Sequence, residues 1–318
     1  MSQKQHHVDK VITSVTSGSA AARSPLAAFW RRSAERYGLD PADNFATGQV
    51  ETTDLRDRRA RLERFLLVST PKLDQLFGLV GQSGCGVLLT DQDGIVLDQR
   101  CSSADQDAFD TWGLRIGVDW SEARQGTNGI GTCLAEKTHV TIHRDEHFLA
   151  RNIGMSCMDA PIFGADGHIL AALDVSSARA DQTVGYNRLI GAMVVQTAKA
   201  IEADYFRASF PNARIVVLGS DESDTSQLIA VDGDDLVIGA TRGARKTFGL
   251  ELGAEMRPRP ASDLFGREDG LTGFEKAERA AVVRALSRAE GNVSEAARAL
   301  GVGRATLYRR LKRLGLGE

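Results

Sequence analysis

The stretch "GNVSEAARALGVGRATLYRRLKRLGLGE", residues 291–318, gathers six basic residues between positions 298 and 313 with no acidic residue among them. Taking those six from the formal net charge of −3 carried by the 318-residue chain leaves −9 for the remainder. An acidic body does not attract polyanions; a basic segment does. Asn292 followed by Glu295 is a helix-start signal, Ala296, Ala297 and Leu300 supply a small apolar face, and "GVG" makes a tight turn. The next helix is predicted from about Arg304 to Leu314, stopped by Gly315. Upstream, Thr272 with Glu275 forms a capping-box pattern, and Val282, Ala285, Leu286 and Ala289 follow helical spacing up to Gly291.

Winding the last helix at about 100° per residue sets Leu307, Leu311 and Leu314 on one stripe. Ala305, Arg309 and Lys312 lie opposite, flanked by Thr306 and Arg313 on one edge and by Arg304 and Tyr308 on the other. Arg310 sits nearer the leucines and is expected to reach sideways to a phosphate. A short helix, a glycine turn and a helix with one leucine face and one arginine-rich face make a helix-turn-helix that reads the major groove of duplex DNA. The alternative, a solvated amphipathic helix, leaves the agreement of caps, turn and both faces unused.

This segment resembles the Fis-type helix-turn-helix found in the nucleoid protein Fis and at the end of many bacterial activators, over about the last 45 residues. The resemblance implies that Asn292 and Ser294 touch backbone phosphates and that Arg304, Thr306, Arg309 and Lys312 occupy positions of the reading helix. Gly303 and Tyr308 depart from Fis, where an asparagine and a basic residue are usual, so base preference does not transfer.

Before the tail, three stretches share an apolar run, a turn carrying Asp-Gly or Gly-Asp, and a second apolar run: "VLLTDQDGIVLDQ" (87–99), "APIFGADGHILAALD" (160–174) and "LIAVDGDDLVIGAT" (228–241). Each predicts a β-hairpin. Between the first two lie the Gly-rich "WSEARQGTNGIGTCLAEKTHVTI" and a predicted short helix, "DEHFLA". A long helix, "GYNRLIGAMVVQTAKAIEADYF", follows the second. Together these predict an α+β module, an antiparallel sheet flanked by helices.

This region is similar to the N-terminal half of the acetoin-catabolism activator family. The matching words are "SPLAAFWRRSAERYGLDP", "GVLLTDQDGIVL", "WSEARQGTNGIGTCLAE", "DEHFLARNIGMSCMDAPIF" and "LAALDVSS", across about residues 22–177. The resemblance implies a GAF domain, a small-molecule sensing fold, and matches the third hairpin to a PAS-like segment. The implied organisation is multidomain: a helical segment over 1–60, a GAF sensor with flanking helices over 61–208, a short PAS-like α+β segment over 209–266, and an all-α helix-turn-helix domain over 267–318. The resemblance also implies a central ATPase, for which there is no room. The nearest look-alike of its GxxxxGK[ST] loop, "GATRGARKT" (239–247), has Ala244 in place of the second glycine and Arg245 before the lysine.

Within the sensor, "GTNGIGT" offers Gly126, Gly129 and Gly131 either as a ligand cradle or as a turn packing the next helix on the sheet. His143 and His147 with Asp145 and Glu146 could approach a metal if helical throughout; ligand contact or a satisfied structural histidine is the other reading, and no metal is assigned. Met155, Phe148 and Phe163 could line an apolar pocket or be ordinary core. The candidate effector contacts are Asn128, Thr132, Cys133, His147, Phe148, Met155 and Cys157. The four cysteines show no CxxC pairing, which disfavours zinc.

The predicted function is a one-component transcription regulator without ATPase activity, binding an inverted-repeat operator as a homodimer under control of a small molecule of unidentified structure. RNA polymerase is a further expected partner. The long helix supplies a dimer seam or covers its own sheet. No cofactor is assigned, the protein is not expected to be an enzyme, and a cytoplasmic, nucleoid-associated location without membrane contact is expected from the lack of a long apolar run. Two alternatives stay open: a redox sensor or thiol enzyme using the GAF cysteines, and an effector-independent architectural protein like Fis.

Overall fold

A computed structural model describes residues 2–44, 48–177, 179, 182–218, 227–253, 256–265 and 274–316. The chain divides into two compact units, Met1–Ala261 and Ser262–Glu318.

The first unit opens with helices α1 (Gln3–Thr16), α2 (Ala20–Arg23) and α3 (Pro25–Arg31), then α4 (Thr52–Arg61) and α5 (Glu63–Val80). Ser2 and Ser24 cap α1 and α3 by accepting from the amides of Gln5 and Ala27, and Pro25 fits the first turn of α3, where no amide hydrogen is needed. There follow β1 (Cys85–Thr90), β2 (Val96–Arg100), α6 (Gln106–Trp112), α7 (Glu122–Gln125), α8 (Gly129–Glu136), β3 (Val140–His143), β4 (Ser156–Phe163), β5 (Ile169–Ser177) and α9 (Val184–Ser209). The five strands form one antiparallel sheet in the order β2-β1-β5-β4-β3.

All three predicted hairpins form, and each turn is built by its aspartate. Asp91 Oδ1 accepts from the amides of Asp93 and Ile95, both at 3.0 Å, Asp166 Oδ1 from His168 at 3.0 Å, and Asp232 Oδ1 from Asp234 and Leu236, both at 2.9 Å. The carboxylate satisfies amides that the reversing chain removes from the ladder.

Alternation along the strands buries both faces of the sheet. On one face Leu73 and Leu76 of α5 and Ile190, Val194 and Ile201 of α9 pack over Val87, Leu89 and Val175. On the other, Leu88 and Cys157 meet Phe109, Trp120, Ile130, Cys133 and Met155. The long predicted helix thus spends its apolar stripe on its own sheet. A second antiparallel sheet, β6 (Arg214–Val217), β7 (Leu228–Val231), β8 (Leu236–Ala240) and β9 (Arg259–Pro260), follows in sequential order with α10 (Arg242–Thr247) beside it.

One expectation is overturned. "DEHFLA" is not a helix: residues 144–146 and 150–152 are single 3-10 turns, and His147 between them is extended. Distant partners pull this segment out. Phe148 N donates to Thr127 O at 3.0 Å, Trp30 Nε1 to Glu146 O at 2.8 Å, and the His7 ring bonds Phe148 O at 3.2 Å.

The second unit holds α11 (Ala261–Phe265), which begins at the boundary, and then α12 (Phe274–Arg288), α13 (Val293–Ala299) and α14 (Arg304–Arg313). Val282, Ala285, Ala289, Ala296, Ala297, Leu307, Leu311 and Leu314 form its core. The Thr272 cap expected for the first of the three lies outside the described residues. No described helix is long and apolar enough to cross a membrane.

Candidate nucleic-acid interface and sensor interior

Asn292 caps α13 by accepting from the amides of Ser294 and Glu295 at 3.1 and 3.3 Å. Gly301 turns the chain at φ +64°, and Gly315 ends α14 at φ +66°. Leu307 is fully buried while Arg304, Ala305, Tyr308, Arg309 and Lys312 are exposed and Thr306 is partly covered. Arg304 lies over the Tyr308 ring at 5.7 Å, and Arg309 Nη2 reaches Thr306 Oγ1 at 3.5 Å. Arg309 and Lys312 have no carboxylate partner among the described residues. Arg310 and Arg313 do: Arg310 Nε is 3.1 Å from Glu278 of α12, and Arg313 bonds the same carboxylate. The sideways reach expected of Arg310 therefore ends on Glu278.

The interior of the larger unit carries a buried polar chain on the face of the sheet under α8. Cys157 and Asp159 on β4 stand opposite Ser176 and Asp174 on β5. His147 Nδ1 is 2.9 Å from Arg144 O, which only accepts, so that nitrogen carries the proton and Nε2 accepts from Cys157 Sγ at 3.4 Å. Ser176 Oγ lies 3.1 Å from Cys157 Sγ and 3.0 Å from Asp174 Oδ1. Neither oxygen of Asp159 finds a donor among the described residues. Burial and the facing Asp174 push the Asp159 carboxyl well up, which favours its protonated form.

A second buried charge group pins the N-terminal helices. Arg32 Nε and Nη2 bind Glu122 Oε2 and Oε1 at 2.7 and 2.8 Å, and Thr132 Oγ1 donates to Oε1 at 2.8 Å. Val11 and Trp30 pack on Phe148 and Leu149 beside it.

Comparison with known proteins fits these two halves. Residues 273–314 match the family described as "Bacterial regulatory protein, Fis family", and residues 68–201 match the GAF domain. The chain joins a GAF domain to a Fis-family helix-turn-helix. It is 31% identical over 242 residues to the acetoin catabolism regulatory protein of Cupriavidus necator, covering 75% of this chain and 36% of that protein. It is 26% identical over 159 residues to the acetoin dehydrogenase operon transcriptional activator AcoR of Bacillus subtilis, covering 49% and 26%. The propane 2-monooxygenase operon transcriptional activator MimR of Mycolicibacterium smegmatis is 40% identical over 95 residues, covering 30% and 16%. The chain spans about a third or less of the length of these relatives. Only about 70 residues separate its two family matches, too few for an ATPase domain between them. The E. coli DhaR(N)-DhaL complex shares the fold, with a TM-score of 0.53 at 14% identity over 76% of this chain and 81% of that one.

Within the GAF domain the seven candidate effector contacts Asn128, Thr132, Cys133, His147, Phe148, Met155 and Cys157 are all buried. Cys133, Met155 and Cys157 share one core, while Phe148 packs with Val11 and Trp30 in another. Asn128 caps α8 by accepting from Gly131 N at 2.9 Å. The three glycines do unlike things. Gly126 needs its left-handed φ of +62°, whereas a Cβ on Gly129 would lie 2.0 Å from Asp159 Oδ2 and one on Gly131 2.5 Å from Glu122 N. Gly129 is a close-approach point for α8 on the sheet, and Gly131 one for α8 on the start of α7. His143 bonds Ser156 Oγ and Asn187 Nδ2 and does not converge with His147 on a shared point; no metal-sized group of three ligating side chains occurs among the described residues. Burial lowers His147 to about 4, keeping it neutral, and pushes the Cys133 and Cys157 thiols well up. Thiolate chemistry requires the opposite shift.

Asp159, Asp174, the Arg32–Glu122 pair and Glu278 were not singled out by motif. Asp159 and Asp174 did leave a trace: each is a lone acid inside an apolar strand, on the same face as Cys157 by two-residue alternation.

Proposed function

We propose that this protein is a one-component transcription regulator that binds an inverted-repeat operator as a homodimer and answers to a small molecule held by its GAF domain. The carrying observation is the α14 surface, with Arg304, Arg309 and Lys312 exposed on the side opposite the buried Leu307, Leu311 and Leu314. Arg309 at the centre is placed to read a guanine edge, and Lys312, Asn292 and Ser294 to meet phosphates. One such helix discriminates few base pairs; two spaced about 34 Å apart read a palindrome. The relatives' names support regulation of transcription, and the short spacing between the two matches supports a mode of action without an ATPase. Effector binding shifts the balance between two dimer arrangements and so the spacing of the reading helices. Contact with RNA polymerase and a cytoplasmic, nucleoid-associated location follow from that role.

The test is binding of the full chain to its own promoter against random duplex at modest salt, with and without effector candidates, beside Arg304→Ala and Arg309→Ala. Promoter preference that both variants weaken supports the reading; equal affinity for random duplex overturns it.

A further inference from the structure

A cleft of about 310 Å³ lies where the turn after α8, the helix α9 and the start of α10 meet. It sits on the opposite side of the main sheet from the Asp159–Asp174 pair, because Ala160, which lines it, alternates with Asp159 along β4. Four permanent cations border it: Lys137, Lys199, Arg242 and Lys246, with His139 beside them. A single carboxyl, Glu202, opposes them, and its Oε2 is occupied by the Phe163 amide at 3.2 Å. The three lysines have no carboxylate within ion-pair distance among the described residues, so the excess positive charge is not spent inside the protein.

The walls are apolar. Pro161, Phe163, Val195 and Ala198 line them. The Arg242 guanidinium lies over Phe163, 4.5 Å from the ring centre, and Nη1 holds Gly167 O at 3.2 Å. Fixed on two sides, it keeps further N–H donors for a planar, two-oxygen acceptor. A liquid water occupies about 30 Å³, so the cleft has the volume of about ten waters, the size of a small organic molecule.

We infer that this cleft binds a small organic monocarboxylate, its carboxylate on Arg242 between Lys199 and Lys246 and its apolar body against Val195, Ala198 and Phe163. Inorganic phosphate satisfies the cations and leaves the apolar walls uncovered; a neutral analogue does the reverse. Such a ligand touches both the GAF domain and α10 of the following sheet. The inference stands apart from operator binding, which can fail without affecting it.

The test is calorimetric and thermal-shift titration of the full chain with hexanoate and with benzoate, against hexanol, benzamide and inorganic phosphate. The variant is Lys199→Glu combined with Lys246→Glu, both exposed positions, and Lys4→Glu controls for net charge. Binding of either carboxylate at least tenfold tighter than its neutral analogue and than phosphate, weakened tenfold or more by the double reversal and unchanged by Lys4→Glu, supports the site. No saturable carboxylate binding, equal binding of the neutral analogue or of phosphate, or indifference to the double reversal overturns it.

Discussion

Asp159 on β4 and Asp174 on β5 are direct cross-strand partners, both essentially sealed from solvent, and burial pushes both carboxyls up. In the unfolded chain each ionises near the ordinary aspartate value of about 3.9. In the folded chain burial raises both. Folding therefore takes up protons above pH 4, and stability is lost as pH climbs from there through the folded values. Asp159→Asn keeps a donor toward Asp174 and removes that cost. The variant is expected to melt higher than the parent at pH 8, with the gap closing at pH 5. Melting curves at the two pH values check it, and no gain at pH 8 rejects the cost of ionising this buried pair.

Glu122 retains 2% side-chain exposure, and its carboxylate is paired with Arg32. Arg32→Ala leaves the carboxylate with the Thr132 hydroxyl alone among the partners described above, which is expected to cost about 3 kcal/mol. Arg32→Lys restores a charge without the two-pronged geometry and should recover only part of it. Denaturant titration measures both, and limited proteolysis should show α1 to α3 becoming cleavable in Arg32→Ala.

What was legible in the sequence was whatever local chemistry decides. Asp91, Asp166 and Asp232 each close their own turn within four residues, so three hairpins could be read directly. Leu307, Leu311 and Leu314 declare a helix face by spacing alone. The segment around His147 could not be read this way, because its shape is set by Thr127, Trp30 and His7, up to 141 residues away. The edge strand β3, four residues inside a polar stretch, carried too little pattern to be seen. The ion pairs of Glu278 join two helices, and no spacing rule within one helix reveals them.

Leu307 is the centre of a small core in the C-terminal unit. A unit of this size has few apolar contacts to spare, and Leu307→Ala is expected to cost about 2–5 kcal/mol, enough to unfold it. DNA binding should vanish while the melting of the GAF unit stays unchanged. Calorimetry of the full chain, read beside an operator-binding assay, separates the two effects. Loss of both transitions together would mean that the units do not fold independently.

Glu278 holds Arg310 and Arg313 on one carboxylate, so two of the cations of α14 are partly neutralised before any DNA arrives. Both arginines remain substantially exposed and can be released. Glu278→Gln removes the competing charge without removing bulk. Phosphate contacts carry no sequence information, so the variant is expected to bind operator and random duplex more tightly by the same factor, leaving the ratio between them unchanged. Each arginine that moves to a phosphate steepens the fall of log K with log salt by about 0.9, so the slope should grow by one to two such steps. Lys312→Ala should make it shallower by about one step, whereas Arg309→Ala should mainly relax the preference for operator over random duplex. Fluorescence anisotropy across a salt series measures all three. An unchanged slope in Glu278→Gln would show that Arg310 and Arg313 lie off the DNA path, leaving Arg304, Arg309 and Lys312 to carry recognition.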